Sequence, residues 1–312
     1  MNMNVVFYLS ADWERFHRPG MIVALAAELR KRNGSVLCIN RPICPITSPL
    51  RQTRKWWRWL TGGKHTQQVA ENLYVHTPAV ALHDVLAWRF PPILNANRLL
   101  LRGQIKRVMR GLSFPSASLV AWIYHPYQLH YVRMLNEDLT VYECYDEHSL
   151  ADGVSADEAK RVTAMEKKLF AACDLSFTTS KRLWEDKRHL TREMHVSNNA
   201  ADIEYFGRAQ DPVQPIAPEL RDRPHPVVGY LGFHLDRADL ALIRHIALAR
   251  PRWTLVLTGV PRLQETPRTS LFHDLSKLPN VLLKGWIDWG ELPAWFKGFD
   301  VGIIPYKESG FH

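Results

Sequence analysis

The sequence has none of the features that place a chain in a bilayer or in an oxidising compartment. No apolar run approaches the roughly 18 residues that a membrane-spanning helix needs. The short apolar run at 5–9 is followed at once by Asp12 and Glu14, so it predicts a first β-strand and not a signal peptide. The four cysteines show no C-x-x-C spacing, so we expect neither a disulfide framework nor a metal site, and a reducing cytoplasm fits best.

Two further absences argue against a dinucleotide site after the first strand and against a repeat architecture. No G-x-G-x-x-G follows the first predicted strand, so a dinucleotide is not expected there. No internal repeat or low-complexity tract is present, and the hydrophobic content of 46% is ordinary for a globular protein. With 312 residues the chain is long enough for two domains with large cores.

Acidic residues are missing from two stretches that carry much of the net charge of +9. The stretch 49–65 holds five Lys or Arg residues without an acid, and the stretch 85–113 holds six. Such basic surfaces suit nucleic acid, anionic lipid or phosphorylated substrates. For either stretch alone, a solvated helix face is the alternative interpretation.

Three tryptophans lie beside cations inside the first of these stretches: Trp56, Trp57 and Trp59. Tryptophan with Lys or Arg suits a membrane interface, where rings lie at headgroup level and cations contact phosphates. The alternative is a core segment whose charged ends reach outward to water. The pattern leaves both interpretations open.

Short β-rich runs alternate with helical segments along the chain, and this order predicts parallel strands with crossover helices. Prolines crowd the stretch 210–226, which predicts a spacer between domains. We therefore expect an α/β domain over 1–208, a linker over 209–226 and a second α/β domain over 227–312. In such sheets, ligands bind at the carboxyl ends of the strands.

Two titratable residues follow predicted strands of the first domain, His125 and Asp146. Either side chain could act as a general base on a hydroxyl group. The alternative for His125 is a turn residue before proline, and for Asp146 a cap of the next segment. Asp146 is the stronger candidate because Glu147 and His148 follow it in a polar cluster, and clustered carboxylates can raise one another's pKa.

In the second domain the first strand ends at Gly232, and His234 and Arg237 follow it. A glycine there lets backbone N–H groups approach a phosphate, and the two side chains could pair with a diphosphate. Gly259 ends the next strand in the same way. Plain turn chemistry is the alternative for each glycine taken singly.

The chain resembles the GT-B glycosyltransferases of the group-one, family-four-like type. In the second domain the resemblance rests on 228–232, 239–240, 249–259, 278–281, 285–286, 292–293 and Phe299-Asp300-Val301-Gly302-Ile303-Ile304-Pro305-Tyr306. In the first domain it rests on 141–146, 178–183, 197–202 and Phe206. It implies two Rossmann-like domains facing a cleft, with the acceptor bound by the first and a nucleotide sugar by the second.

The resemblance also implies roles for particular residues. Asp146 looks like the catalytic aspartate of the inverting glucuronosyltransferase of xanthan assembly. Pro305 and Tyr306 fall in the donor-binding segment. The polar stretch after the first strand supplies the candidate acceptor-binding residues Asp12, Trp13, Arg15 and Arg18.

The implied partners are a nucleotide sugar, as substrate, and a carbohydrate or lipid-linked acceptor, with an anionic membrane surface as a further candidate and without nucleic acid. No bound cofactor or metal is expected, because GT-B enzymes generally need none and no D-x-D lies in a convincing strand context. The expected location is the cytoplasm, with a peripheral position at the inner face of the membrane as a further candidate.

Domains of this family continue beyond the segment that ends at Tyr306, so we expect a C-terminally truncated second domain with an incomplete donor site. The first functional hypothesis is transfer of a sugar in polysaccharide or glycolipid synthesis. A GT-B-fold sugar-nucleotide epimerase and a non-catalytic or partner-dependent remnant of the fold are the alternatives.

Overall fold

A computed structural model describes residues 2–16, 18–44, 65–82, 87, 90–114, 117–151, 154–232, 238–259 and 270–307. The chain divides into two compact units, with the boundary between 200 and 201. Unit 1 holds the residues before this boundary and unit 2 the residues after it. Among the helices in the described ranges, none is both long and apolar enough to span a bilayer.

Unit 1 is built on an eight-stranded sheet with the order β3-β4-β2-β1-β5-β6-β7-β8. Its strands are β1 (Met3–Tyr8), β2 (Val36–Ile39), β3 (Thr66–Ala70), β4 (Leu73–His76), β5 (Ser118–Ile123), β6 (Leu139–Cys144), β7 (Leu175–Thr178) and β8 (Met194–Val196). β3 pairs antiparallel with β4, and the other neighbouring pairs are parallel. The parallel sheet predicted from the alternation of strands and helices is therefore present.

The core of unit 1 lies on both faces of this sheet. Along β1, Val5 and Phe7 belong to one buried cluster and Val6 and Tyr8 to the other, because successive strand residues point to opposite faces. Burial on both faces explains why β1 reads as one continuous apolar run. The carboxyl ends of the parallel strands share one edge of the sheet.

Four helices of unit 1 are described: α1 (Pro19–Arg30), α2 (Pro91–Gly111), α3 (Ala156–Ala172) and α4 (Lys181–Lys187). Ser155 caps α3 by accepting the N–H of Glu158 on its hydroxyl at 3.3 Å. Short 3₁₀ helices span Trp13–Arg15, Pro126–Tyr131, His148–Leu150 and Arg188–Leu190. Two of them, Pro126–Tyr131 and His148–Leu150, follow the carboxyl ends of β5 and β6.

Unit 2 is built on a four-stranded parallel sheet with the order β11-β10-β9-β12. Its strands are β9 (Val227–Tyr230), β10 (Thr254–Leu257), β11 (Val281–Leu283) and β12 (Val301–Gly302). Its helices in the described ranges are α5 (Ile203–Gly207), α6 (Leu240–Ala249), α7 (Ser270–Ser276) and α8 (Leu292–Lys297), with 3₁₀ helices at Arg208–Gln210, Pro218–Leu220 and Trp289–Glu291. One buried cluster holds Val228 and Tyr230, and a second holds Val227, Val256 and Trp295.

The proline-rich segment 209–226, predicted as a linker, lies within unit 2. Ala217 and Leu220 are buried in the same cluster as Trp295 of α8. The backbone N–H of Ala217 also donates to the carbonyl of Ala294 at 3.0 Å. The prolines favour turns in this segment. The few apolar residues between them pack against unit 2 and hold the segment in place.

Candidate functional site

A cavity of about 190 Å³ lies at the carboxyl ends of β1, β2 and β5 in unit 1. Its lining consists of Tyr8, Leu9, Ser10, Ile39, Asn40, Arg41, Pro42, His125, Tyr127, Gln128 and Tyr131. In parallel α/β sheets this edge is where ligands bind. Of the residues named from the sequence, His125 belongs to the lining.

Gln128 joins the ends of the two central strands beneath the cavity. Its Nε2 donates to the carbonyl of Leu9 at 3.1 Å, and its Oε1 accepts the backbone N–H groups of Tyr124 and His125 at 3.0 and 3.1 Å. The side chain is buried, so these bonds satisfy the amide away from water. The sequence reasoning missed Gln128, although Gln three residues after a helix-capping position is a recognised capping signal.

His125 is held as a neutral ring. Burial, and then the nearby charge of Arg41, lowers the pKa of His125 from 6.5 to about 4. Its Nδ1 accepts the backbone N–H of Tyr127 at 3.2 Å, so the proton of the neutral ring lies on Nε2. With its acceptor nitrogen occupied, the ring can donate a hydrogen bond from Nε2 but is not set to remove a proton.

Asn40 and Arg41 follow β2 and also line the cavity. Asn40 accepts the backbone N–H of Trp13 at 2.8 Å and donates to the Thr77 hydroxyl at 2.9 Å, which fixes the loop after β1. Arg41 is exposed, and its positive charge reaches His125. The sequence reasoning missed both residues, since Asn-Arg before a proline reads as an ordinary loop.

Asp146 lies two residues beyond the end of β6, at the same edge as His125. The neighbouring Tyr145 is anchored on both sides, because its hydroxyl donates to Ser10 Oγ at 3.2 Å and its carbonyl accepts the Thr179 hydroxyl at 2.8 Å. His148, two residues after Asp146, has its ring 4.7 Å from that of His125. Asp146 is half-buried and is not among the residues that line the cavity.

A buried ion network supports the chain next to Asp146. Lys187 Nζ lies 2.5 Å from Glu166 Oε2 and 2.9 Å from Glu147 Oε2. Tyr142 donates its hydroxyl to Glu166 at 2.8 Å, and Cys144 donates its thiol to the same carboxylate at 3.4 Å. The network therefore ties the end of β6 to α3 and α4.

This network changes the role expected of Glu147. Burial alone would raise the pKa of Glu147, but hydrogen bonds from Lys187 and Ser149 outweigh it and hold that pKa below its usual value. Burial likewise opposes the charge of Lys187, yet the anionic groups around it raise its pKa. Glu147 is thus an ionised partner of Lys187 and not a carboxyl that shares a proton with Asp146.

The four residues predicted to bind the acceptor lie after β1. Asp12 precedes the 3₁₀ helix that holds Trp13 and Arg15, and Trp13 packs on the buried cluster around Phe7. Arg15 is exposed. Their predicted role stays a prediction.

Arg18 has a structural partner that the sequence did not indicate. It forms an ion pair with Glu143 on β6, and the two side chains are only 9% and 1% exposed. Trp122 Nε1 donates to the other carboxylate oxygen at 2.9 Å. Burial lowers the pKa of Arg18. A carboxylate inside the sheet needs a cation beside it, so the Arg18 guanidinium compensates Glu143 rather than pointing to solvent.

In unit 2, the predicted donor residues in the described ranges lie at the carboxyl edge of the sheet. The N–H of Gly232 donates to the Thr258 hydroxyl at 3.2 Å, and that hydroxyl donates to the Tyr230 carbonyl at 3.1 Å. The Gly232 N–H, which the sequence predicted to contact a phosphate, is therefore hydrogen-bonded to Thr258 instead. Gly259 has a positive φ of 67°, which explains a glycine at this turn.

Pro305 and Tyr306 join this edge to the start of α6. The carbonyl of Pro305 accepts the N–H of Asp239 at 2.7 Å, and Tyr306 forms a bridge with Ala238. The Tyr306 ring lies 6.4 Å from that of Tyr230, edge to face. The other predicted residues, His234, Arg237, Trp56, Trp57 and Trp59, lie outside the described residues.

Within the described ranges, no group of three or more His, Cys, Asp or Glu residues is arranged to hold a metal ion.

Sequence comparison gives one partial match and no family assignment. No family model matches the chain. A protein of Bacillus subtilis (strain 168), named "Putative teichuronic acid biosynthesis glycosyltransferase TuaH", is 31% identical over 121 residues. The match covers 38% of this chain and 29% of that protein, so it spans less than a third of the relative's length.

Structural similarity extends over the whole chain. Sucrose-phosphate synthase from Thermosynechococcus elongatus superposes with a TM-score of 0.67 at 12% identity, covering 100% of this chain and 77% of that one. The catalytic domain of starch synthase IV from Arabidopsis thaliana, bound to ADP and acarbose, gives 0.56 at 12% identity over 99% and 79%. HepE from Anabaena, in complex with UDP and glucose, gives 0.55 at 13% identity over 93% and 72%.

At these identities the superpositions establish the fold and leave the chemistry to be argued from the site. The likeness of Asp146 to the aspartate of the xanthan glucuronosyltransferase stays a prediction. The architecture predicted from the sequence is confirmed: the chain has the α/β fold of the GT-B glycosyltransferases.

Proposed function

We propose that this chain is a glycosyltransferase that moves a sugar from a nucleotide-sugar donor to a carbohydrate or lipid-linked acceptor. The observation that carries the proposal is the cavity at the carboxyl edge of unit 1, with His125 in its wall and Asp146 at the same edge. The fold adds support, since superposed structures are named as a starch synthase bound to ADP and as HepE bound to UDP and glucose. The named role of the Bacillus subtilis relative, teichuronic acid biosynthesis, points to a polysaccharide product.

The size of the cavity limits what it can hold. Sites for small molecules usually measure roughly 300–1,000 Å³. A volume of about 190 Å³ is smaller, so it suits a single sugar ring or headgroup and leaves the rest of a longer acceptor outside. Ser10, Arg41 and the Nε2–H of His125 supply the polar contacts to such a group.

Asp146 is the proposed general base. It would take the proton of the acceptor hydroxyl while that oxygen bonds to the anomeric carbon of the donor sugar and the bond from this carbon to the diphosphate breaks. A carboxylate is the better base at this edge, since His125 already carries a proton on Nε2 and its Nδ1 is occupied. Lys187 and Glu147 would hold the segment in place during the step.

The proposed donor site is the edge of unit 2 formed by Gly232, Gly259, Pro305 and Tyr306. The nucleotide sugar is a substrate, and the proposal includes no bound cofactor. The proposed location is the cytoplasm at the inner face of the membrane, where lipid-linked acceptors are glycosylated. The four cysteines are buried and form no disulfide in the described part of the chain, which supports a reducing compartment.

Ligand-dependent thermal stability tests the donor half of the proposal. The full chain is heated with UDP, ADP, GDP or UDP-glucose, and one nucleotide is expected to raise the midpoint of unfolding. A ligand at about 100 times its Kd stabilises the native state by about 2.7 kcal/mol, which is readily measured. Hydrogen exchange should show the protection in unit 2.

Three outcomes separate the candidate functions. Donor binding together with transfer of radiolabelled sugar to a membrane lipid extract supports the transferase. Conversion of UDP-N-acetylglucosamine without any acceptor would replace it with the epimerase. The absence of any nucleotide-dependent shift or protection would leave the non-catalytic remnant of the fold.

A further inference from the structure

One side of helix α2 faces solvent. This side is apolar in the first half of the helix and basic in the second half. The inward line of α2 is Asn97, Leu101 and Ile105, all buried against the core of unit 1. The opposite side we call the docking face. It consists of Pro92, Ala96, Leu99, Leu100, Gly103, Lys106, Arg107 and Arg110.

The first half of the docking face exposes apolar surface without a partner in the described part of the chain. Leu99 and Leu100 are 68% and 50% exposed, and Pro92 and Ala96 are exposed beside them. A Cβ built on Gly103 would meet nothing within 4 Å. Neighbouring exposed leucines on the same side of a helix mark an interaction surface more often than isolated ones do.

The second half of the docking face is cationic. Arg107 and Arg110 are exposed and Lys106 is half-exposed. No Asp or Glu occurs between Asp84 and Glu137, so no acid from this part of the chain offsets the charge. The spacing of Pro92, Ala96, Leu99, Gly103, Lys106 and Arg110 keeps all of them on one line along a helix about 30 Å long.

We propose that the docking face lies flat on an anionic lipid surface. Leu99 and Leu100 would enter the boundary between headgroups and acyl chains, and Lys106, Arg107 and Arg110 would contact lipid phosphates. An interfacial helix combines these two features, apolar side chains and a basic cluster. A nucleic acid would use the cations but would leave the leucines in water, so the lipid surface fits the whole face better.

The inference rests on the proposed function for its biological sense, because a lipid-linked acceptor requires the enzyme at a membrane. It assigns the contact to α2. Its test measures lipid binding and not sugar transfer, so the two proposals can fail separately.

Vesicle flotation with charge variants at one position tests the proposal. The full chain is mixed with vesicles of phosphatidylcholine alone or of phosphatidylcholine with phosphatidylglycerol. It should float with the anionic vesicles, and added salt should weaken this binding. Gly103→Glu should weaken it about fivefold and Gly103→Lys strengthen it about fivefold, the usual effect of one charge near an anionic surface.

Two further variants test the halves of the docking face. Arg107→Gln with Arg110→Gln should lower binding to anionic vesicles roughly 25-fold, and Leu99→Ser with Leu100→Ser about tenfold or more. Matched controls are Lys167→Gln with Lys168→Gln on the exposed side of α3, and Gly207→Glu, where a Cβ would meet nothing within 4 Å. These controls should bind as the unchanged chain does.

Every outcome decides the proposal. Loss of flotation in the α2 variants, with circular dichroism and nucleotide binding intact, supports it. Binding to vesicles that is equal in all variants would overturn the assignment to α2. Absence of binding to anionic vesicles, or binding to duplex DNA in their place, would overturn the lipid surface. Vesicle binding by a chain that binds no nucleotide would leave this inference standing and remove the proposed function.

Discussion

The imidazole rings of His125 and His148 lie 4.7 Å apart, centroid to centroid, with 54° between their planes. His125 follows β5 and His148 follows β6, so the contact joins the ends of two neighbouring strands at the edge where the cavity opens. The ring of Tyr127 stacks on the ring of His125, with 5.3 Å between their centroids. His125 is therefore partly buried between two rings, and its protonation has consequences for stability.

We predict that His125 makes the native state sensitive to acid. Its folded pKa of about 4 lies below its usual 6.5, because burial, and then Arg41, disfavours the charged ring. Between these values the unfolded chain binds the proton and the native state does not, so stability is complete above 6.5 and falls as the pH drops toward 4. The complete loss in the free energy of unfolding from this one group is about 3 kcal/mol. His76, with its pKa lowered to about 4 by burial, adds a similar slope.

Urea unfolding across this pH range measures the effect. His125→Asn keeps an acceptor for the Tyr127 N–H and removes the titrating ring, so about half of the acid-dependent loss should disappear. A variant as acid-sensitive as the unchanged protein would show that the ring titrates normally in the native state.

Asp146→Asn tests the base. The amide preserves size and hydrogen bonding but cannot accept the acceptor's proton, so turnover should fall on the order of 10²–10⁴-fold. Nucleotide binding should be unchanged, because the proposed donor site lies in unit 2. Initial rates with radiolabelled donor give the comparison, and Asp138→Asn, an exposed carboxylate before β6, is the matched control. Equal rates in both variants would remove Asp146 from the chemistry.

The local patterns in the sequence predicted most of the secondary structure and the edge that carries the site. The helix Ala156–Ala172 and the strand Leu175–Thr178 are elements that a single sequence can indicate, because Ser155 caps the helix and the strand alternates in burial. The sequence does not indicate the strands Thr66–Ala70 and Met194–Val196. Both lie at sheet edges and are largely exposed, so they lack the apolar period that indicates a strand.

The contacts that build the site depended on distant residues and could not be predicted in the same way. Gln128 bonds to a carbonyl 119 positions away, and Arg18, just before α1, pairs with Glu143 on β6. Lys187 reads as an ordinary exposed helix residue, yet it neutralises Glu166 and Glu147. Such pairings arise from the order of strands in the sheet, and a single sequence does not state that order.

Lys187→Met should destabilise unit 1 strongly. Removing the cation leaves Glu166 buried with a hydroxyl and a thiol as its remaining hydrogen-bond donors, a situation that typically costs about 3–5 kcal/mol. Urea unfolding gives the difference. The control is Lys181→Met, whose exposed ion pair with Glu185 spans one helical turn and should be worth less than about 0.5 kcal/mol.

A small loss in Lys187→Met, comparable with that of Lys181→Met, would mean that Glu166 tolerates the removal of its cation. In that event the double variant Lys187→Met with Glu166→Gln should be no more stable than the single one. Recovery of stability in the double variant would confirm that the uncompensated carboxylate is the cause.

Gly232→Ala should strain the edge of unit 2 where the donor is proposed to bind. A Cβ at this position would lie 2.5 Å from Cζ of the Tyr230 ring, which is buried and cannot move away freely. Overpacking of this kind costs about 1–3 kcal/mol. Gly290→Ala, where a Cβ meets nothing within 4 Å, should change stability by less than about 0.5 kcal/mol.

The Tyr230 ring lies 6.4 Å from that of Tyr306, so its displacement should also disturb Tyr306. Gly232→Ala should therefore weaken nucleoside diphosphate binding, while Gly290→Ala should leave it intact. Equal affinities in the two variants would place the nucleotide away from this edge.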